Sequence, residues 1–147
     1  LQEESKVMLK TRDILIKALF GLMGAGLAYL LVYTLTYLPN GYELVSKQQG
    51  VLHIQEYNLV GLKEDKIKWQ PPSEEEDWRL KALKTKIPNL MVSYFILFTS
   101  IFITLFLTLY ESSKGKRIIG DLIASGLTVL FAFLTLLRNL DRIKELL

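Results

Sequence analysis

Apolar residues are gathered into three long runs along this chain, at 14–37, 88–110 and 118–137. Those runs hold 67 residues and only two charges, Lys17 and Asp121, whereas the other 80 positions carry 31. Each run reaches the roughly 20 residues that a helix needs to cross a hydrocarbon core about 30 Å thick. In such a setting a helix satisfies its own backbone polar groups, and the other solution is a closed barrel. A barrel needs many short segments of alternating polarity, which this chain lacks. The pattern predicts an all-α polytopic membrane protein with three transmembrane helices.

The polar connections carry their own signals. Residues 1–13 are mixed in charge and read as a surface segment leading into the first span, with Asp13 placed to cap its start. Residues 38–87 form the one sizeable extramembrane loop. Its β-favouring residues predict strands near 42–46 and 51–60, joined by a turn at 47–50 into a small β-hairpin, with 66–69 as a further β candidate. Pro71 and Pro72 then stop any strand. Ser73 followed by Glu76 has the spacing of a capping box, opening an amphipathic helix near 74–87 with Leu80, Leu83 and Ile87 on one stripe. The loop at 111–117 is short and basic, so the second and third spans form an antiparallel hairpin. A juxtamembrane tail occupies 138–147.

Composition changes this picture little. Half the residues are hydrophobic, 22% are charged, and the formal net charge is +3. The basic residues cluster at span ends, which suits lipid anchoring more than nucleic-acid binding; Trp78, Lys84, Lys86, Lys114, Lys116 and Arg138 are the candidate anchors to an anionic lipid surface. Basic residues are close to balanced on the two sides, so charge assigns no orientation and no particular membrane. No cleavable signal is expected, because the first span is long and no small-residue cleavage site follows it. The chain has no cysteine, which removes disulfides, thiolate metal sites and a cysteine nucleophile.

The informative minority inside the spans is small and polar. Gly21 with Ala25, and Gly24 with Ala28, are small-xxx-small pairs that let a neighbouring backbone approach. Asp121, Ser125, Thr128, Ala132, Thr135 and Asn139 recur at steps of 4, 3, 4, 3 and 4, a polar seam on an otherwise aliphatic third helix. Helix packing through Gly21, Gly24, Ala25, Ala28, Ser125, Thr128, Ala132 and Thr135 is the leading expectation. The alternative is a pore face, with Asp121 as a charged ring at its mouth. Arg117, four residues before Asp121, is expected to pair with it. Lys17 is expected to snorkel.

No phosphate-binding loop, dinucleotide fingerprint, zinc-helix signature or nucleophile elbow occurs. The single histidine, His53, supplies no bis-imidazole or triad ligation within this chain. No catalytic residue, metal site or cofactor is therefore expected. The sequence points to a non-catalytic integral-membrane subunit of a larger complex, partnered by other membrane subunits or copies of itself. A homo-oligomeric channel or membrane-disrupting effector is the second expectation.

Overall fold

The computed structural model describes residues 2–115, 117 and 119–147. Helix α1 spans Gln2–Tyr29 and runs into a π-helical turn at Leu30–Thr34. Strands β1 (Tyr42–Gln48), β2 (Val51–Tyr57) and β3 (Lys63–Trp69) follow, then a single 3-10 turn at Glu74–Glu76, α2 (Asp77–Ser113) and α3 (Ile119–Leu146). Three helices are long and apolar enough to cross a membrane. Helix α2 is the centre of the molecule, with α1 and α3 each packed against it and almost no contact between those two.

Helix boundaries depart from the sequence reading: every helix is longer overall, although the first ends at Thr34, short of the expected 37. α1 starts at Gln2, so Asp13 lies inside it and caps nothing. α2 passes through Pro88 without a break, joining the amphipathic segment to the second span. The reason is visible in its burial. Leu80, Leu83, Ile87, Leu90, Tyr94 and Leu97 are all buried, at steps of 3, 4, 3, 4 and 3, so one stripe continues straight across the proline. An interior proline costs about 3 kcal/mol. Burying four leucine or isoleucine side chains on either side of it contributes on the order of 6–12 kcal/mol as an upper bound, so packing wins. The capping box is not formed. Ser73 makes no side-chain cap bond, and the Glu76 carboxylate instead accepts from Arg79 Nη1 at 3.4 Å.

The extramembrane loop is a three-stranded antiparallel sheet in the order β1-β2-β3, not a hairpin. Alternation on β3 (KEDKIKW) supplies the third strand. Ile67 stands opposite Ile54, and Trp69 opposite Leu52, on the face that holds the core, while the lysines and acids of the strand are exposed. Charged edge residues also discourage pairing with another chain. Where the β2–β3 register shifts, buried Gln55 donates through Nε2 to the carbonyls of Glu56 and Glu64, both at 3.0 Å. The inner face of the sheet packs on the first half of α2. Leu52, Ile54, Tyr57 and Trp69 form one core with Leu80, Leu83, Ile87, Leu90 and Tyr94.

Arg79 ties three elements together. Its guanidinium lies 5.8 Å from the Trp69 ring centre, and Nη2 donates at 2.5 Å to the Leu146 carbonyl at the end of α3. The last carbonyls of a helix need such a donor, and a cation there also suits the helix dipole.

Candidate functional site

Two polar girdles bracket the apolar middle of the helices. At the end near the sheet, Asn139 Nδ2 donates to Ser93 Oγ at 2.7 Å, and Tyr94 OH donates to the Pro39 carbonyl at 2.5 Å. At the opposite end, Asp13 and Lys17 of α1 meet Tyr110 and Glu111 of α2 and Lys114 just past its end. At about 1.5 Å per residue, each helix runs roughly 26–31 Å between the girdles, close to the thickness of a hydrocarbon core.

The far girdle is a compact charge cluster. Lys17 Nζ lies 3.2 Å from Asp13 Oδ2 and 3.1 Å from Glu111 Oε1. Asp13 Oδ1 also accepts from Tyr110 OH at 2.8 Å and from the Lys114 ammonium. That ammonium sits 4.2 Å from the centre of the Tyr110 ring. Hydrogen bonds from Lys114 and Tyr110 hold the Asp13 carboxyl well below the usual carboxylate range, and its bond to Asp13 raises Lys114. Glu111 is only 6% exposed and stands at the foot of the α2 stripe, which continues from Leu97 through Ile101, Thr104 and Thr108. Beside the cluster α1 and α3 diverge over α2, leaving a cleft of about 210 Å³ whose lining includes Lys17, Thr108, Glu111, Asp121 and Ser125.

This cluster was not anticipated from the sequence. Asp13 and Lys114 are 101 residues apart, and no local pattern joins them. Glu111 did carry a signal, because the α2 repeat followed through Pro88 lands on it. Lys17 forms ion pairs with Asp13 and Glu111 where snorkelling was expected, and Lys114 is engaged with Asp13 where a lipid anchor was expected. Among the described residues Arg117 forms no ion pair with Asp121. α3 begins at Ile119, so Arg117 precedes the first turn and the expected helical spacing between the two is not in place. Lys116 lies outside the described residues.

No protein-family model, curated protein or solved structure matches this chain. The site rests on its own geometry.

Of the two small-residue pairs on α1, Gly24 with Ala28 is the buried one. A Cβ on Gly24 would stand 3.0 Å from Ile103 Cγ1 and 3.4 Å from Phe102 Cβ. Gly21 and Ala25 are half-buried, but a Cβ on Gly21 would meet nothing within 4 Å, so the expected close approach at that pair is not formed. Aromatic rings lock the α1–α2 contact along its length: Phe20 lies 5.9 Å from Phe106 and 5.5 Å from Tyr110, and Tyr33 lies 6.1 Å from Phe95.

The seam on α3 divides. Ser125, Ala132 and Asn139 turn toward α2, where they alternate with Val129, Leu136 and Ile143. Thr128 and Thr135 face outward, whereas Asp121, also exposed, lines the cleft with Lys17 and Glu111. The contact face is therefore rotated toward the aliphatic side of the helix. Thr128 Oγ1 donates to the Ala124 carbonyl at 3.2 Å and Thr135 Oγ1 to the Phe131 carbonyl at 2.9 Å, so their outward position leaves no hydroxyl unsatisfied.

The proposed anchors also separate. Trp78 is exposed, ten residues before Pro88 and about 15 Å from it along α2. Lys84 and Lys86 are half-buried on the same helix, and Arg138 is exposed at the near girdle.

Proposed function

We propose that this chain is a non-catalytic integral-membrane subunit that presents the outer faces of α1 and α3 to partners within a larger assembly, with its sheet as an external docking element. The observation carrying the reading is the open arrangement of the helices. α1 and α3 flank α2 without closing on each other, and only 6% of the apolar window of α3 is buried within the chain. Gly120, Ala124 and Thr128, spaced four apart, are exposed along α3, with Thr135 beyond them and Asp121 and Ala124 bordering the cleft toward α1. Small residues at this spacing allow close backbone approach, the main source of helix association in lipid.

Membrane insertion is part of the proposal, and the β2–β3 turn supports it. Leu59, Val60 and Leu62 are 78%, 65% and 64% exposed, an apolar tip that water would penalise. The tip is held in place. Asn58 Oδ1 accepts from the Val60 and Leu62 amides at 3.0 and 2.9 Å, and Gly61, at φ +90°, lies so close to the Tyr37 ring that a Cβ would stand 2.6 Å from it. Tyr37 follows the first span at the level of Phe98, 6.0 Å between ring centres, so the tip hangs where a lipid interface would cover it.

The test is gentle extraction of the full chain and mass measurement of what travels with it. Unrelated subunits that are lost on Thr128→Leu or Gly120→Leu, but retained on Thr85→Leu outside the span, support the reading. A uniform multiple of 16.9 kDa, with ion conduction that changes selectivity on Asp121→Asn, replaces it with a homo-oligomeric pore. A lone chain in every detergent tried overturns both.

A further inference from the structure

Just outside the near girdle, a cleft of about 360 Å³ lies along the α2–α3 seam, lined by Lys86, Asn89, Val92, Ser93, Asn139 and Arg142. Two cations from different helices converge on it. Among the described residues no carboxylate lines it, and neither Lys86 nor Arg142 forms an ion pair. Two cations in one concavity with no carboxylate beside them favour an anion, because each attracts the same negative charge. The neutral groups present are hydrogen-bonding ones. The Asn89 amide has no partner among the described residues, and Asn139 spends one Nδ2 hydrogen on Ser93 and keeps the other. The geometry is also fixed, since the Asn139–Ser93 bond joins the two walls at the floor of the cleft.

We propose that this cleft binds an anionic phosphate group. Arginine offers a planar fork to phosphate oxygens and lysine a point charge, and the cleft provides one of each with amide donors beside them. Its depth favours a lipid headgroup as the carrier. The lining runs from Ser93 and Asn139, at the edge of the apolar slab, outward to Lys86, seven residues further along α2 and about 10 Å away. That interval overlaps the headgroup layer, and basic pockets between membrane helices are suited to anionic headgroups. The lipid assignment rests on the membrane reading above; the phosphate assignment does not.

The experiment uses the full chain in detergent, titrated separately with phosphatidylglycerol and with inorganic phosphate, and read by native mass spectrometry and calorimetry. The variants are Lys86→Gln, Arg142→Gln and both together, with Lys66→Gln/Lys68→Gln as a control that removes the same charge from the sheet. Saturable lipid binding that weakens at least tenfold in the cleft double variant and not in the control, with no saturable inorganic phosphate, supports the headgroup. Saturable inorganic phosphate with the same sensitivity supports a phosphate site supplied from solution. Equal binding of both probes by wild type, cleft variant and sheet control overturns the proposal, as does no binding of either probe by wild type. Release of the wild-type chain from phosphatidylcholine vesicles by alkaline carbonate would sink the membrane reading alone, and the inorganic phosphate titration would still decide the cleft.

Discussion

Substitutions at Gly24 and Gly26 separate packing inside the chain from exposure outside it. The two glycines are neighbours on α1, but a Cβ at Gly24 meets Ile103 at 3.0 Å, whereas one at Gly26 meets nothing within 4 Å. Replacing a helical glycine by alanine gains about 0.8–1 kcal/mol of intrinsic propensity. Gly26→Ala should realise that gain. At Gly24 the same gain is opposed by overpacking of about 1–3 kcal/mol, so Gly24→Ala should range from neutral to about 2 kcal/mol destabilised. Gly24→Leu must also displace α1 from Phe102 and Ile103, which loosens the ring contacts of Phe20 with Phe106 and Tyr110. A loss of 1–3 kcal/mol is the expectation, roughly a 5- to 150-fold change in the unfolding constant. The assay is reversible unfolding of the purified chain in mixed micelles of rising denaturing-detergent fraction, followed by far-ultraviolet circular dichroism. Gly26→Leu should leave the midpoint at or somewhat above that of the parent, since leucine also gains propensity over glycine and meets nothing within 4 Å of its Cβ. Equal damage from Gly24→Leu and Gly26→Leu in the isolated chain would refute the assignment of α1's inner face.

Three further outcomes follow from the geometry. A double-mutant cycle of Asn139→Leu and Ser93→Ala should give a coupling of about 0.6 kcal/mol, with about 1.7 as the ceiling for such bonds; a coupling of zero would mean the bond contributes nothing to the α2–α3 contact. Burial, and then the hydrogen bond Tyr57 donates to Glu43 Oε2 at 2.6 Å, raise the Tyr57 phenol above its ordinary value near 10. The neutral phenol is the favoured form in the fold, so its contribution is complete below pH 10 and lost as pH climbs beyond it; Tyr57→Phe should flatten that alkaline limb in a pH series of midpoints. Leu59→Asp with Leu62→Asp should leave the sheet intact by circular dichroism while abolishing the quenching of a fluorophore at Val60 by bilayer-embedded quenchers, and unchanged quenching would remove the turn from the lipid interface.

The existence of all three long helices was legible because each run is long, apolar and almost free of charge. Their ends were not. Pro88 is a strong local stop, and only burial of the stripe from Leu80 to Leu97 shows why the helix ignores it. Read by spacing alone, that stripe crosses the proline unbroken and would have flagged Glu111 as an acid in a packing position. β3 was half-hidden because its lysines and acids outnumber Ile67 and Trp69, the residues that seat it. The α3 seam was visible as polar spacing, but threonine can return its hydroxyl to its own helix. Polarity therefore did not say which side of Ser125, Ala132 and Asn139 the neighbour would take. The charge cluster is a product of topology, since Asp13 meets Lys114 only after two helices have been laid antiparallel.

The unbroken course of α2 has a mechanical consequence. From Asp77 to Ser113 it is a shaft about 55 Å long, with the sheet clamped to one end and the Lys17–Glu111 pair at the other. A load taken up by the sheet has no hinge between helices in which to dissipate. It reaches the far end only as tilt, axial slip or torsion of the whole rod. Gly24 and its neighbouring rings resist tilt, and the single Asn139–Ser93 bond is a modest brake on slip. Turning the shaft by one residue step, about 100°, would carry Glu111 out of reach of the Lys17 ammonium.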